Sequence, residues 1–167
     1  MFLLIASWMA VSTCRDGFII KGGLLPEAAI VNKSGDMMKP GAKEIEAVSL
    51  LDGSKRCAYF IKKVADWEEV WGLCDDGWLM SGDDESDRAF PVWPAAAYAS
   101  ACVAQEWEKA KPKSISLDDF LEDVLPSLAE EGLLVSVFLV PAGGLVAANV
   151  SPSKLLKDLQ QERALYE

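Results

Sequence analysis

The residues with the clearest potential for chemistry are four carboxylates in one short turn: Asp83, Asp84, Glu85 and Asp87. Asp83, Glu85 and Asp87 alternate as the first three ligands of an EF-hand calcium loop do. Arg88, however, occupies the position that requires glycine, and Pro94 occupies that of the bidentate glutamate, which excludes an EF-hand. A looser magnesium or calcium site would suit a metal-dependent hydrolase or a small-ligand-binding domain. A solvated hairpin turn is the simpler interpretation.

Tryptophan is the second candidate class of functional residue, since six occur in 167 residues. Trp71, Trp78 and Trp93 fall on successive predicted strands and could stack across one face of a sheet. Together with Trp67 they could form an aromatic binding surface for a protein partner or a ligand. Packing in the core is the competing interpretation, because each ring buries a large apolar area.

Histidine is absent from the chain. Its absence excludes Ser-His-Asp and Cys-His nucleophile pairs as well as histidine-based zinc sites. Cysteine occurs four times and never in a C-x-x-C pair, at Cys14, Cys57, Cys74 and Cys102. We expect reduced thiols in a core rather than a disulfide framework or a catalytic thiol. The sequence therefore predicts no catalytic residue and no cofactor.

The net charge of −10 restricts the possible partners. Residues 1–37 contain three basic and three acidic side chains, so the excess of negative charge lies in residues 38–167. An acidic surface repels nucleic acid and anionic membranes, whereas it attracts a basic protein. These properties predict a cytoplasmic protein with a protein partner, and they leave its oligomeric state open.

Residues 1–37 are expected to be an extension of doubtful status, disordered or not translated, with the true start at Met37 or Met38. Phe2 to Val11 is apolar, but no Lys or Arg precedes it, and ten residues are too few to span a bilayer. The sequence around Cys14 loosely resembles a lipoprotein processing site. Export or lipid anchoring through Cys14 is the less favoured alternative.

Residues 38–167 are expected to form a single α+β domain. Hydrophobic periodicity and capping residues predict about five helices: residues 44–51, a helix capped by Ser54, residues 94–107, a helix opened by Ser116 and kinked at Pro126, and one capped by Ser151. Residues 69–74, 78–81 and 88–92 are expected to form a three-stranded antiparallel meander. A short strand over residues 114–117 and a C-terminal hairpin of residues 133–140 and 145–150 complete a mixed or antiparallel sheet.

Several segments in this order resemble domain-of-unknown-function family 2750 over about residues 42–160: residues 43–48, 59–73, 75–78, 90–94, 115–121 and 125–126. The run Ala-Asp-Trp-Glu-Glu-Val-Trp-Gly at residues 65–72 is the most specific. The resemblance implies a small bacterial domain without an established activity, so it supplies no catalytic residue. Family members often carry Tyr near position 57 and His near position 95, where this chain has Cys57 and Ala95. The element order is also similar to that of SseB-type domains, by analogy of fold alone.

The interpretation that the sequence favours is a non-catalytic protein-binding module of the immunity or adaptor kind. Its alternative is a metal-dependent hydrolase or small-ligand-binding domain that uses the acidic turn.

Overall fold

The structure is a computed structural model that describes residues 19–20, 23–24, 40–75, 77–82, 88–103, 107–141 and 145–166. Two short strands in the N-terminal part, β1 (Ile19–Ile20) and β2 (Gly23–Leu24), pair antiparallel with each other. The remaining elements combine helices with two small sheets, which confirms the predicted α+β class.

Within the described residues five helical stretches are present: α1 (Ala42–Ser49), α2 (Gly53–Trp67), α3 (Ala96–Ala101), the continuous run of α4 (Leu117–Asp119), a π-helical turn (Phe120–Val124) and α5 (Leu125–Glu130), and α6 (Pro152–Arg163). Their number agrees with the expected five. The third is shorter than predicted, because it begins two residues after Pro94 and ends at Ala101. None of these helices combines the length and apolar character needed to span a membrane.

Helix α2 is the longest of the described helices, and its N-cap lies two residues before the predicted Ser54. Asp52 is the N-cap, and its side chain accepts a hydrogen bond of 2.9 Å from the Lys55 N–H, so Ser54 does not serve as the cap. The buried stripe of the helix includes Phe60 and Val64, as the sequence predicts. The helix ends at Glu68, whose φ of 55° turns the chain directly into a strand.

The run from α4 to α5 shows how the chain accommodates Pro126. Ser116 is the N-cap, as predicted, and its Oγ accepts from the Asp119 N–H at 3.2 Å. A proline ring clashes with the carbonyl four residues earlier. The helix widens before Pro126 into a π-helical turn, in which the Leu125 N–H bonds to the Phe120 carbonyl. The run ends at Gly132, whose φ is 70°, and the Leu133 N–H closes the cap on the Leu128 carbonyl at 2.9 Å.

Five strands form the two sheets of the main body: β3 (Glu69–Cys74), β4 (Ala89–Val92), β5 (Lys111–Ser116), β6 (Leu134–Pro141) and β7 (Leu145–Val150). β3 pairs antiparallel with β5, whereas the three-stranded sheet has the order β4-β6-β7. β4 is parallel to β6, and β6 and β7 form the predicted C-terminal hairpin. Trp71 and Trp93 exchange two backbone hydrogen bonds of 2.8 Å, which connects β3 to the end of β4.

The predicted meander of residues 69–74, 78–81 and 88–92 is wrong in its pairing. Residues 78–81 form isolated bridges, one between Trp78 and Cys74 and one between Ser81 and Ala89, and the ladder of β3 is made with β5 instead. The backbone groups of Ala89 and Trp93 form hydrogen bonds on the same side of β4, with Ser81 and Trp71 respectively. Pro91 lies between them and has no N–H to donate there, so a continuous ladder cannot form.

The core is centred on β6, whose residues 135–140 are all buried, as expected for a central strand. The register between β6 and β7 shifts between Val137 and Val140. Within this irregularity Phe138 has a φ of 57° and is fully buried, an unusual backbone conformation for an aromatic residue. The next carbonyl, of Leu139, accepts from the Trp93 indole N–H at 3.0 Å.

Candidate functional site

The predicted aromatic surface is divided between the two faces of the sheet. Trp71 and Trp93 are direct antiparallel partners, so their side chains share one face. Trp93 is fully buried, and its indole N–H already bonds to Leu139, whereas Trp71 is half-buried. Gly72 follows Trp71 and faces the other side.

Trp78 covers Gly72 on that opposite face. A Cβ added to Gly72 would lie 2.8 Å from Cζ3 of Trp78, so this position needs glycine. The Trp78 ring packs edge-on against Phe90 at 5.7 Å between centroids and is 8 % exposed. Trp67 lies elsewhere, at the end of α2, where it is half-buried. The four tryptophans therefore do not share one surface, and binding through Trp67 and Trp71 stays a prediction.

A polar cluster that sequence analysis did not assemble joins α1, α2 and α3. The Tyr59 hydroxyl donates to Oε1 of Glu44 at 2.6 Å and lies 3.0 Å from the Tyr98 hydroxyl. Lys63 Nζ is 3.6 Å from the same Glu44 oxygen and 4.8 Å from the centroid of the Trp67 ring. We call Glu44, Tyr59, Lys63 and Tyr98 the tyrosine tether, because they hold α1 against the rest of the domain.

The tyrosine tether packs against Phe138, in the irregular part of β6. The Phe138 ring lies 4.6 Å from the Tyr98 ring and 6.0 Å from the Tyr59 ring. Burial raises the pKa of Tyr59 well above its ordinary range, and the hydrogen bonds to Glu44 and Tyr98 raise it further. Burial also raises the pKa of Tyr98. Both hydroxyls are therefore protonated at neutral pH, which suits a structural connection and disfavours a general base or a nucleophile.

A cleft of about 410 Å³ lies between the π-helical turn and the C-terminal end of α6, and it is lined by Asp118, Leu121, Glu122, Gln160, Arg163 and Ala164. Asp118 and Arg163 form an ion pair of 2.7 Å across it, between side chains that are 68 % and 34 % exposed. Glu122 also lines it and is exposed. π-Helical turns occur frequently at functional sites, and this one supplies Leu121 and Glu122.

Two exposed apolar side chains come immediately after Ala164, which lines this cleft. Leu165 and Tyr166 follow α6 directly and are 77 % and 51 % exposed. Desolvation raises the pKa of Tyr166, and the negative charges of Glu162 and Asp66 raise it further. We call Leu165 and Tyr166, together with the surrounding carboxylates, the acidic face; its carboxylates are Asp66, Asp118, Glu122 and Glu162.

The metal site predicted at Asp83, Asp84, Glu85 and Asp87 lies outside the described residues, and it stays a prediction. In the part of the chain that the structure describes, no group of three or more His, Cys, Asp or Glu residues is arranged to hold a metal ion. Cys57 and Cys102 carry free thiols. Cys74 is disulfide-bonded, so the expectation of reduced thiols is wrong at that position.

Comparison with known proteins gives one match. No curated protein and no solved structure is significantly similar to the chain, so the likeness to SseB-type domains stays a prediction. A family described as a protein of unknown function (DUF2750) matches residues 57–159. The match begins within α2 and ends in α6, so it covers strands β3 to β7, the buried tryptophans and half of the residues that line the cleft. Because it spans more than half of the chain, the protein belongs to the DUF2750 family.

Proposed function

We propose that this protein is a non-catalytic binding module of the adaptor or immunity kind, which binds a basic protein partner through the acidic face. The observation that carries the proposal is the placement of Leu165 and Tyr166, both more than half exposed, beside a cleft with acidic walls. Exposed apolar side chains surrounded by charged groups are typical of protein-binding surfaces.

The charge distribution supports a basic partner. Of the cleft's charged side chains, Asp118 is compensated by Arg163, whereas Glu122 adds negative charge to the wall in a chain whose net charge is −10. Asp66 and Glu162 extend the negative potential past the Tyr166 ring. Opposite charge on a partner would accelerate association and orient the encounter, while the apolar pair supplies contact area that excludes water.

The chemistry of the remaining polar groups favours binding over catalysis. The chain has no histidine, and the tether holds its two tyrosine hydroxyls protonated. The cleft supplies carboxylates, one guanidinium and apolar carbon, and these groups suit recognition of a lysine- or arginine-bearing surface. We propose a bacterial, cytoplasmic location for the protein, although the disulfide at Cys74 is of a kind more common outside the cytoplasm. Fractionation of source cells tests this location, and recovery of the protein outside the cytoplasm would contradict it.

The proposal is tested by affinity capture of the tagged full chain from a lysate of its source organism, followed by mass spectrometry. We expect a stoichiometric basic partner that the double variant Leu165→Ala with Tyr166→Ala no longer retains. Leu50→Ala is the matched control, because Leu50 is 82 % exposed and belongs to a different element, at the end of α1.

The contribution of charge to binding is tested separately, with the purified protein and its captured partner. Glu122→Lys should weaken binding, and the dissociation constant of the unchanged protein should rise with salt concentration, because the long-range attraction is screened. Failure to recover a partner would contradict the proposal. So would a partner that the double variant and the Leu50→Ala control retain equally well.

A further inference from the structure

The two outer strands of the three-stranded sheet, β4 and β7, differ in whether the backbone groups on their outer edges are hydrogen-bonded. The outer side of β4 is bonded at both ends, to Ser81 through Ala89 and to Trp71 through Trp93. β7 pairs with β6 on its inner side, and no described strand pairs with its outer side. A strand edge of this kind presents a row of backbone donors and acceptors that another strand can use.

The pairing of β6 shows which groups of β7 point outward. The Leu134 N–H bonds to the Arg88 carbonyl, so Leu134 directs its backbone groups toward β4. Backbone groups alternate along a strand, so those of Val135 and Val137 point toward β7. Their partners on β7 are Val150 and Ala148, which therefore point inward.

The N–H and C=O groups of the alternate residues, Leu145, Ala147 and Asn149, consequently point away from the sheet. These three positions form one hydrogen-bonding edge, with Ala147 at its centre. If two copies of this edge run antiparallel about a two-fold axis at Ala147, Ala147 faces Ala147, and Leu145 faces Asn149 on both sides. Each facing pair can exchange both of its hydrogen bonds.

β7 contains none of the residue types that usually prevent edge-to-edge pairing. Natural edge strands are usually protected by charged side chains or proline. β5, the outer strand of the other sheet, carries both, with Lys111, Pro112 and Lys113 in succession. β7 has the sequence Leu-Val-Ala-Ala-Asn-Val, which contains no charged residue and no proline.

We propose that two copies of this chain associate through β7, which joins their three-stranded sheets into one six-stranded sheet. The lack of charged residues on β7 favours a second copy over a charged peptide as the occupant. Two chains of −10 repel each other wherever their carboxylates meet, but a seam along β7 brings no like charges face to face. A basic peptide would find no carboxylate on this strand to recognise.

The test compares two substitutions at the axis in the full chain. Ala147→Pro removes an N–H that points outward and contributes nothing to the pairing with β6, whereas Ala147→Val retains that N–H and suits a strand. We expect sedimentation equilibrium to show a dimer for the unchanged protein and for Ala147→Val. In Ala147→Pro, two hydrogen bonds are lost at the axis, one from each copy, so the dissociation constant should rise roughly tenfold to a hundredfold.

Circular dichroism of each variant checks that the fold is retained. If Ala147→Pro does not fold, hydrogen exchange of the unchanged protein tests whether β7 pairs with a second copy. The amides of Ala147 and Asn149 should exchange slowly in concentrated solution and faster on dilution. A monomer at every concentration would overturn the proposal, and so would a folded Ala147→Pro that dimerises as tightly as Ala147→Val. Slow exchange at these two amides that is independent of concentration would also overturn it, since it would indicate a different occupant.

Discussion

Replacing Tyr59 with phenylalanine removes one hydroxyl and leaves the ring that packs near Phe138. Two hydrogen bonds are lost, one of 2.6 Å to Glu44 and one of 3.0 Å to Tyr98. A hydrogen bond to a charged group contributes about 1.5–3 kcal/mol to stability, and a neutral one contributes about 1 kcal/mol. The Glu44 side chain is 40 % exposed, so water replaces part of what is lost. We expect the free energy of unfolding to fall by about 1–2 kcal/mol.

Urea unfolding followed by tryptophan fluorescence measures this change, with the dependence on urea concentration fixed between variants. Tyr166→Phe is the matched control and should leave the unfolding midpoint unchanged, since that ring is half exposed and outside the tether. Glu44→Ala completes a double-mutant cycle, because alanine has no side-chain oxygen to accept from the Tyr59 hydroxyl. The two tether substitutions should be non-additive by about 1 kcal/mol, because they remove the same hydrogen bond. Additive effects, or an unfolding midpoint for Tyr59→Phe equal to that of the control, would refute the assignment of the tether.

Three further predictions concern the core and its titrating groups. Gly72→Ala should destabilise the fold by about 1–3 kcal/mol, because its Cβ would meet Trp78 at 2.8 Å, whereas Gly53→Ala, with its nearest contact at 3.7 Å, should be neutral or stabilising in the same urea assay. Burial raises the pKa of Cys102 to about 11, so iodoacetamide at pH 8 should alkylate this thiol only after unfolding, and mass mapping of the folded protein would detect any earlier reaction. Because the folded-state pKa of Tyr59 lies above its ordinary value, the stability that it contributes is complete below about pH 10 and declines as the pH rises further. Tyr59→Phe should lessen that decline, and an identical pH profile for the variant would contradict the prediction.

Elements defined by local signals could be predicted from the sequence. Residues 133–140 and 145–150 predicted a C-terminal hairpin and Ser116 predicted a helix start, and the structure confirms both. Each signal acts within a few residues of the element that it defines. Periodicity likewise predicted the buried face of α2, including Phe60 and Val64.

Pairing over long distances could not be predicted in the same way. The sequence favoured the neighbouring residues 78–81 as the partner of β3, but the partner is β5, about 40 residues later. Local patterns do not encode which distant strand has the better register. Pro91 lies in β4, at the edge of its sheet, and its effect on the expected meander becomes apparent only with Ala89 and Trp93 in place.

The candidate sites depended on the same long-range information. Glu44 and Tyr59 are 15 residues apart, and the turn between α1 and α2 brings them together. The acidic face needs the ends of α2 and α6 side by side, and no sequence motif marks that arrangement. The tryptophans were found by composition alone, which could not say that Trp71 and Trp78 point to opposite faces.

The delayed pairing of β3 and β4 has a consequence for synthesis on the ribosome. β3 must wait for residues 111–116 and β4 for residues 134–137 before either can complete its ladder. At a translation rate of about 5–20 residues per second, each strand stays without its partner for roughly 2–9 seconds. During that interval the apolar side chains of Phe90 and Val92, which are fully buried in the finished domain, are open to other contacts. We therefore expect chaperones that bind extended apolar segments to bind the nascent chain, and we expect a chain interrupted before residue 134 to leave β4 without its partner strand.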